Sequence, residues 1–178
     1  WQIARPRASA DQIEAAVKLL KTAKKPLILS GGGVRYSGAE QMLADFAVRF
    51  GIPIAETIAG KGGVVHNHSA YVGPMGIEGT DAAKTLAEGA DVILAIGTRL
   101  QDFTTGSWTA FDAEARFIAI NTARFDALKH MSQPIVGDAK TALPILSAAA
   151  QGLRAPDAWM QTAQNERRKW DHYVARNV

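Results

Sequence analysis

The run Ala90 to Ser107, ADVILAIGTRLQDFTTGS, constrains the fold more than any other stretch of the chain. Val92, Ile93, Leu94 and Ile96 form a short apolar block, rich in β-branched residues and bounded by Asp91 and Gly97. Such a block fits a parallel strand covered by helices on both faces. Gly97 marks its carboxyl end, the edge of an open α/β sheet at which loops converge and backbone N–H groups are left to meet phosphate or carboxylate. The best candidate site therefore lies at this strand end.

The rest of the chain repeats the pattern. Ser9 and Gln12 form a capping box for a helix over Ala10 to Ala23, with Ile13, Ala16, Val17 and Leu20 at helical spacing. Leu27 to Leu29 read as a buried strand that stops at Gly31, Gly32 and Gly33, a loop able to approach a ligand closely. Ser37 and Glu40 repeat the capping box, and the helix they open ends at Gly51. Further strands are predicted at Ile52 to Glu56, Tyr71 and Val72, Val92 to Ile96, Phe117 to Ile120, and Ile135 and Val136. Thr80 caps a helix reaching Glu88, and Asp138 starts one reaching Ala150, with Pro144 as a kink or first-turn residue. Alternating strands and helices imply an α/β fold: a doubly wound, mainly parallel six-stranded sheet with helices on both faces, Rossmann-like.

Composition removes several alternatives. Of 178 residues, 47% are hydrophobic, enough for one compact core. Cysteine is absent, which excludes disulfides, thiol nucleophiles and Cys-zinc sites and makes a cytoplasmic setting the expectation. No apolar run approaches the length of a membrane span. The net charge of +3 comes from scattered residues apart from Arg167, Arg168 and Lys169, without interleaved aromatics, so neither nucleic acid nor membrane is an expected partner. The chain starts at Trp1 rather than a methionine, as a piece of something longer would. After Gly152 the texture shifts: Arg154 to Pro156 resemble a linker, and Asp157 caps a polar helix with Trp159, Ala163, Trp170 and Tyr173 near one stripe. That helix either packs back on its own domain or meets a neighbour.

Single motifs are weak here. The Gly31 to Gly33 triplet lacks the GxGxxG spacing, and only Glu56 ends the second strand where a ribose-binding carboxylate would stand. A tight turn without a ligand explains the triplet equally well. His66 and His68 bracket Asn67 without a third ligand nearby, so no metal site is expected. Ser107 lacks the Gly-x-Ser-x-Gly context of a hydrolytic nucleophile. Arg99 can clamp a phosphate, with a surface ion pair as the ordinary alternative.

The order of the motifs says more. Leu27 to Gly33, Phe50-Gly51-Ile52-Pro53, Gly60-Lys61-Gly62, Gly73 to Thr80, Ala90 to Arg99 and Val136-Gly137-Asp138 together resemble the central domain of thiamine diphosphate enzymes of the acetolactate synthase type. The resemblance spans Ser9 to Ala150, and the segment Gly97 to Trp108 looks most like the branch that hydrolyses a cyclic diketone in inositol catabolism. It implies linkers at 1–8 and 154–178, a central domain at 9–153, and neighbouring pyrimidine-binding and diphosphate-binding domains in a parent that assembles as a homo-oligomer. Those domains, not this chain, would hold thiamine diphosphate and magnesium. Neither the cofactor-activating glutamate motif nor the Gly-Asp-Gly motif is present, so no catalytic residue is expected here. Some relatives place FAD or ADP in the central domain. The matching positions are Gly31, Gly32, Gly33, Gly76, Ile77, Gly79, Thr98, Arg99 and Asn121, which mark an adenine-nucleotide crevice. Asn121 and Ala123 stand where the relatives carry an Asp pair, and Phe103 replaces a second arginine, so tight flavin binding is not expected. The FAD-binding domain of an acetolactate synthase and a free-standing nucleotide-binding module remain the competing readings.

Overall fold

A computed structural model describes residues 3–177; residues 1, 2 and 178, at the outer ends of the expected flanking linkers, lie outside the described residues. In chain order the main elements are α1 (Ala10–Leu20), β1 (Pro26–Ser30), α2 (Gly32–Ser37), α3 (Glu40–Phe50), β2 (Ile54–Glu56), β3 (Tyr71–Pro74), α4 (Asp81–Gly89), β4 (Val92–Ile96), α5 (Asp102–Thr105), β5 (Arg116–Asn121), α6 (Arg124–Ala127), β6 (Gln133–Val136), α7 (Ala139–Ala149) and α8 (Asp157–Asn177). The six strands lie in the order β3-β2-β1-β4-β5-β6, and every neighbouring pair is parallel. The α/β, doubly wound, Rossmann-like expectation holds. Strand order reverses between β1 and β4, the position at which a crevice opens in sheets of this kind.

Strand alternation sorts the core. Ile28, Ile54, Leu94, Ile118 and Ile135 face α1, α3 and α7, while Leu27, Leu29, Ile93 and Ala119 face α4 and the start of α8. With both faces covered, β1 and β4 are buried along their whole length, as their unbroken apolar runs require.

Several local expectations need correction. Ser37 does not cap α3: it is the last residue of α2, Gly38 turns the chain in the left-handed region, and the Ser37 hydroxyl donates to Asp138 at 3.0 Å. Gly31 to Gly33 do not form an open loop, because α2 begins at Gly32 directly after the strand. Ser9 does accept from the Gln12 N–H, but the Gln12 side chain is drawn away to accept from the Val136 N–H at 3.1 Å. Asp157 is the first residue of α8 and pairs with Arg154 instead of capping from outside. The α1 helix stops at Leu20, β2 begins only at Ile54, and Pro144 sits inside α7 beyond its first turn.

The tail helix packs back on its own domain. Trp159 is buried and its indole N–H donates to the Pro26 carbonyl at 2.8 Å; Ala163 is buried beside α4 and the sheet. Further along, Arg167 reaches the outer edge of β3, and Trp170 and Tyr173 pair beyond it, with Tyr173 exposed.

Candidate functional site

A crevice of about 900 Å³ runs along the carboxyl ends of β1, β4, β5 and β6, across the point where strand order reverses. Gly32, Gly33, Thr98, Arg99 and Asn121 line it. Register accounts for the gathering: Ser30 lies opposite Ile96, Ile96 opposite Ile120, and Asn121 opposite Val136, so these strands end level and their following residues share one rim.

The glycines at this rim serve close packing of backbone on backbone. A Cβ on Gly31 would lie 2.3 Å from the Gly97 carbonyl oxygen, and one on Gly33 would lie 2.6 Å from the Gly97 Cα. The Gly31 N–H donates to the Ile96 carbonyl at 2.8 Å and the Gly33 N–H to the Gly97 carbonyl at 2.9 Å. Those two donors, which a phosphate loop would direct at its ligand, are spent inside the fold. Gly60 takes part as well, since a Cβ there would lie 2.3 Å from the Ser30 carbonyl oxygen. In the sequence Gly60 stands out only as part of the Gly60-Lys61-Gly62 motif; nothing short of the tertiary packing reveals that it sits on the β1–α2 junction.

The polar side chains divide into committed and free. Asn121 is buried and uses both ends of its amide: Nδ2 donates to the Thr98 carbonyl at 3.0 Å, and Oδ1 accepts from the Ala123 N–H at 2.9 Å. It ties the ends of β4 and β5 together. The Thr98 hydroxyl accepts from the Leu100 N–H at 3.2 Å. Arg99, by contrast, is exposed on the crevice, and its guanidinium has no hydrogen-bond or ion-pair partner among the described residues. Its carbonyl accepts from Lys129 Nζ at 2.7 Å, and Lys129 also pairs with Asp126, a residue of the crevice wall. These two went unnoticed in the sequence because a one-turn helix such as α6 carries no readable period.

Gly76, Ile77 and Gly79 do not line this crevice. They form a turn after β3 that is tied to the rim through Phe103: the Ile77 N–H donates to the Phe103 carbonyl at 2.9 Å, and a Cβ on Gly76 would lie 2.6 Å from the same oxygen. Gly76 has φ +127 and Gly79 donates to the Gly76 carbonyl at 2.8 Å, so glycine is needed for the turn itself. Gly31 lies behind the rim, beneath Gly97 and Thr98.

Glu56 does not stand free to meet a ribose. It is buried, and its carboxylate accepts from the Val64 N–H at 2.7 Å and the Gly62 N–H at 3.3 Å, which folds the following loop back on the strand end. Burial raises its pKa above the usual carboxylate value, while those N–H groups oppose the shift. Desolvation also pushes Tyr71 up to about 12, with the neighbouring Glu56 carboxylate adding to the effect and Arg167 opposing it.

Asp138, at the far end of the crevice, caps α7 by accepting from the Lys140 N–H at 2.9 Å. It also pairs with Arg5 at 2.9 Å and accepts from Ser37, so its carboxylate is fully used. The Asp138 and Thr141 donors hold the Pro6 carbonyl at 2.9 and 3.0 Å, and Ile3, Ala4 and Pro6 thereby form part of the crevice wall. His66 and His68 have separate tasks: His66 faces the Arg167 guanidinium at 2.7 Å, and His68 Nδ1 accepts from the Ala70 N–H at 3.3 Å. No group of three metal-ligating side chains occurs among the described residues.

Residues 13–146 match the family described as "Thiamine pyrophosphate enzyme, central domain". Among curated relatives, the chain is 37% identical over 176 residues to a 3D-(3,5/4)-trihydroxycyclohexane-1,2-dione hydrolase of Clostridium perfringens, covering 98% of this chain and 28% of that protein. It is 43% identical over 148 residues to the protein of the same name from Geobacillus thermodenitrificans, covering 83% of this chain and 23% of the relative. The Bacillus subtilis protein of that name is 43% identical over 151 residues, covering 84% and 24%. The chain thus spans about a quarter of the length of the curated relatives it matches.

Proposed function

Because the chain belongs to the thiamine pyrophosphate enzyme family, as its central domain, we propose that it is the non-catalytic middle part of a longer enzyme that hydrolyses a C–C bond of trihydroxycyclohexane-1,2-dione in inositol catabolism. The observation that carries this reading is its 36–43% identity to relatives bearing the hydrolase name. The same likeness favours it over an acetolactate synthase domain or a free-standing nucleotide-binding module.

Residues 9–153 would then be the central domain proper, with 1–8 and 154–178 leading toward a pyrimidine-binding and a diphosphate-binding domain. When bound, thiamine diphosphate supplies a carbon nucleophile and an electron sink for breaking a C–C bond. The described residues do not fit as its holders: they bring no three metal-ligating side chains together, and the one carboxylate beside a glycine at a strand end, Asp138, is spent on Arg5, Ser37 and Lys140. We therefore assign the cofactor and its magnesium to the neighbouring domains.

The crevice offers space for an adenine nucleotide or FAD but few uncommitted groups. The Arg99 guanidinium has no partner among the described residues, whereas the Gly31 and Gly33 N–H groups and the Asn121 amide are already paired. Weak or absent nucleotide binding follows, since a ligand replacing those bonds gains little over what it breaks. No helix of the described residues is long and apolar enough to cross a membrane, and the lack of cysteine supports placement in the cytoplasm, where we take the parent to be a homo-oligomer.

The decisive experiment expresses the longer gene product and assays ring opening of the cyclic diketone with thiamine diphosphate and magnesium. Cofactor-dependent hydrolysis is expected. Condensation of pyruvate in a flavin-coloured preparation, without hydrolysis of the diketone, would overturn this reading in favour of the synthase.

A further inference from the structure

Soluble domains scatter single apolar side chains over their surface, but they seldom gather large ones where nothing covers them. On the β4–β6 side of the crevice, Phe103 is 67% exposed, Phe125 78% and Met131 98%. Lys129 links this group to the rim: its ammonium lies 5.5 Å from the Phe125 ring centroid, donates to the Arg99 carbonyl and lines a depression of about 540 Å³ with Phe103 and His130. Lys129 thus joins Phe125, Phe103 and the backbone of Arg99 along this edge, Met131 follows two residues on, and the Arg99 guanidinium has no partner among the described residues.

The backbone beneath the patch is unusual in the same place. His130 and Met131 have φ +51 and +53, and Leu100, Ser107 and Trp108 across the depression have +48, +52 and +70. Non-glycine residues hold such conformations only where surroundings impose them, and they gather where a surface is shaped for a ligand or partner. Trp108 and His130 bring the two loops side by side. Met131 gains almost no cover from the described residues.

We propose that this edge is a docking surface for another domain of the same longer polypeptide, which buries Phe103, Phe125 and Met131 and sets a carboxylate against Arg99. The proposal rests on the reading of the chain as part of a longer enzyme. The chain spans only 23–28% of its relatives' length, so roughly three quarters of those polypeptides remains to supply a cover. A mixed patch of exposed aromatic and thioether side chains around one unpaired arginine is the composition that buried interfaces favour. The guanidinium fork, without a partner among the described residues, is met in a bidentate way by a carboxylate, the acidic group that a neighbouring protein domain carries.

The test compares the wild type with Phe125→Glu and Met131→Glu in two settings, the longer gene product and the 178-residue chain. Both side chains stand in solvent in the isolated chain, so its melting temperature should not change and it should sediment as a monomer. In the longer protein either substitution should lower the melting temperature and expose the domain junction to limited proteolysis. Unchanged melting and proteolysis of the longer variants would overturn the proposal. So would dimers of the isolated chain that either substitution dissolves, because the cover would then be a second copy. Hydrolase activity is read separately. A longer wild-type protein without that activity, but loosened by Met131→Glu, would sink the assigned reaction and leave the docking surface standing.

Discussion

Two glycines a strand apart set how closely β1 and β4 can hand over to their loops. Gly97 has φ +61, and a Cβ on it would meet Gly33 Cα at 2.6 Å, so alanine is opposed by its own backbone and by its neighbour. We expect Gly97→Ala to lower the stability of the chain by about 2–4 kcal/mol, the sum of a left-handed penalty and overpacking. Urea unfolding measures it, with Gly62→Ala as the control: Gly62 has φ +85 but nothing within 4 Å of the added carbon, so only the backbone penalty of about 1–2 kcal/mol should appear. A Gly97→Ala cost no larger than that of the control would show that the close packing at the rim yields easily. At this scale the sequence marks residues that the fold uses for close packing, where the expectation is a ligand crevice. Gly31 to Gly33, Gly97 and Asn121 are legible as special, yet whether a glycine admits a ligand or another backbone depends on what stands opposite, which only the assembled sheet supplies.

Elements with a long buried face are legible because period and burial coincide, as in α1, α3, β1 and β4. The misses are elements whose position rests on tertiary partners: α2 is six residues on a glycine-rich turn, and α5 and α6 are single turns. The α8 helix is legible as a helix, but which of its two tryptophans is buried, Trp159, depends on what it packs against. Arg167 belongs with the misses, a charge in a basic run that covers the open edge of β3 by lying 5.3 Å from the Tyr71 ring centroid and donating to its carbonyl. Amide exchange should accordingly be slow from Trp159 to Arg167 and fast beyond Trp170; uniform fast exchange along α8 would contradict the packing. Tyr71 adds a pH test. Its folded pKa of about 12 lies above the ordinary 10.0, so the native state holds the phenol proton more tightly than the unfolded chain. That contribution is complete below pH 10 and is lost as pH rises through about 12, on the order of 2–3 kcal/mol at full ionisation. Tyr71→Phe should flatten this part of the stability profile, and an unchanged slope would assign it to other groups.

For the whole molecule, the proposed assignment of the cofactor and its magnesium to neighbouring domains leads to a direct prediction. The carboxylates at the ends of β2 and β6, Glu56 and Asp138, are consumed in folding the loop after β2 and in holding the start of α7 to Arg5 and Ser37. No three metal-ligating side chains come together among the described residues. Calorimetric titration of the 178-residue chain with thiamine diphosphate and magnesium should therefore give no saturable heat, and the purified chain should be colourless, with no flavin retained. A micromolar site corresponds to about 8 kcal/mol of binding free energy and needs a formed pocket with several charge-assisted bonds, which one unpaired Arg99 on an open crevice does not provide. Stoichiometric binding at micromolar cofactor would mean that this domain reorganises around the ligand, and the division of labour between scaffold and reaction centre would have to be redrawn.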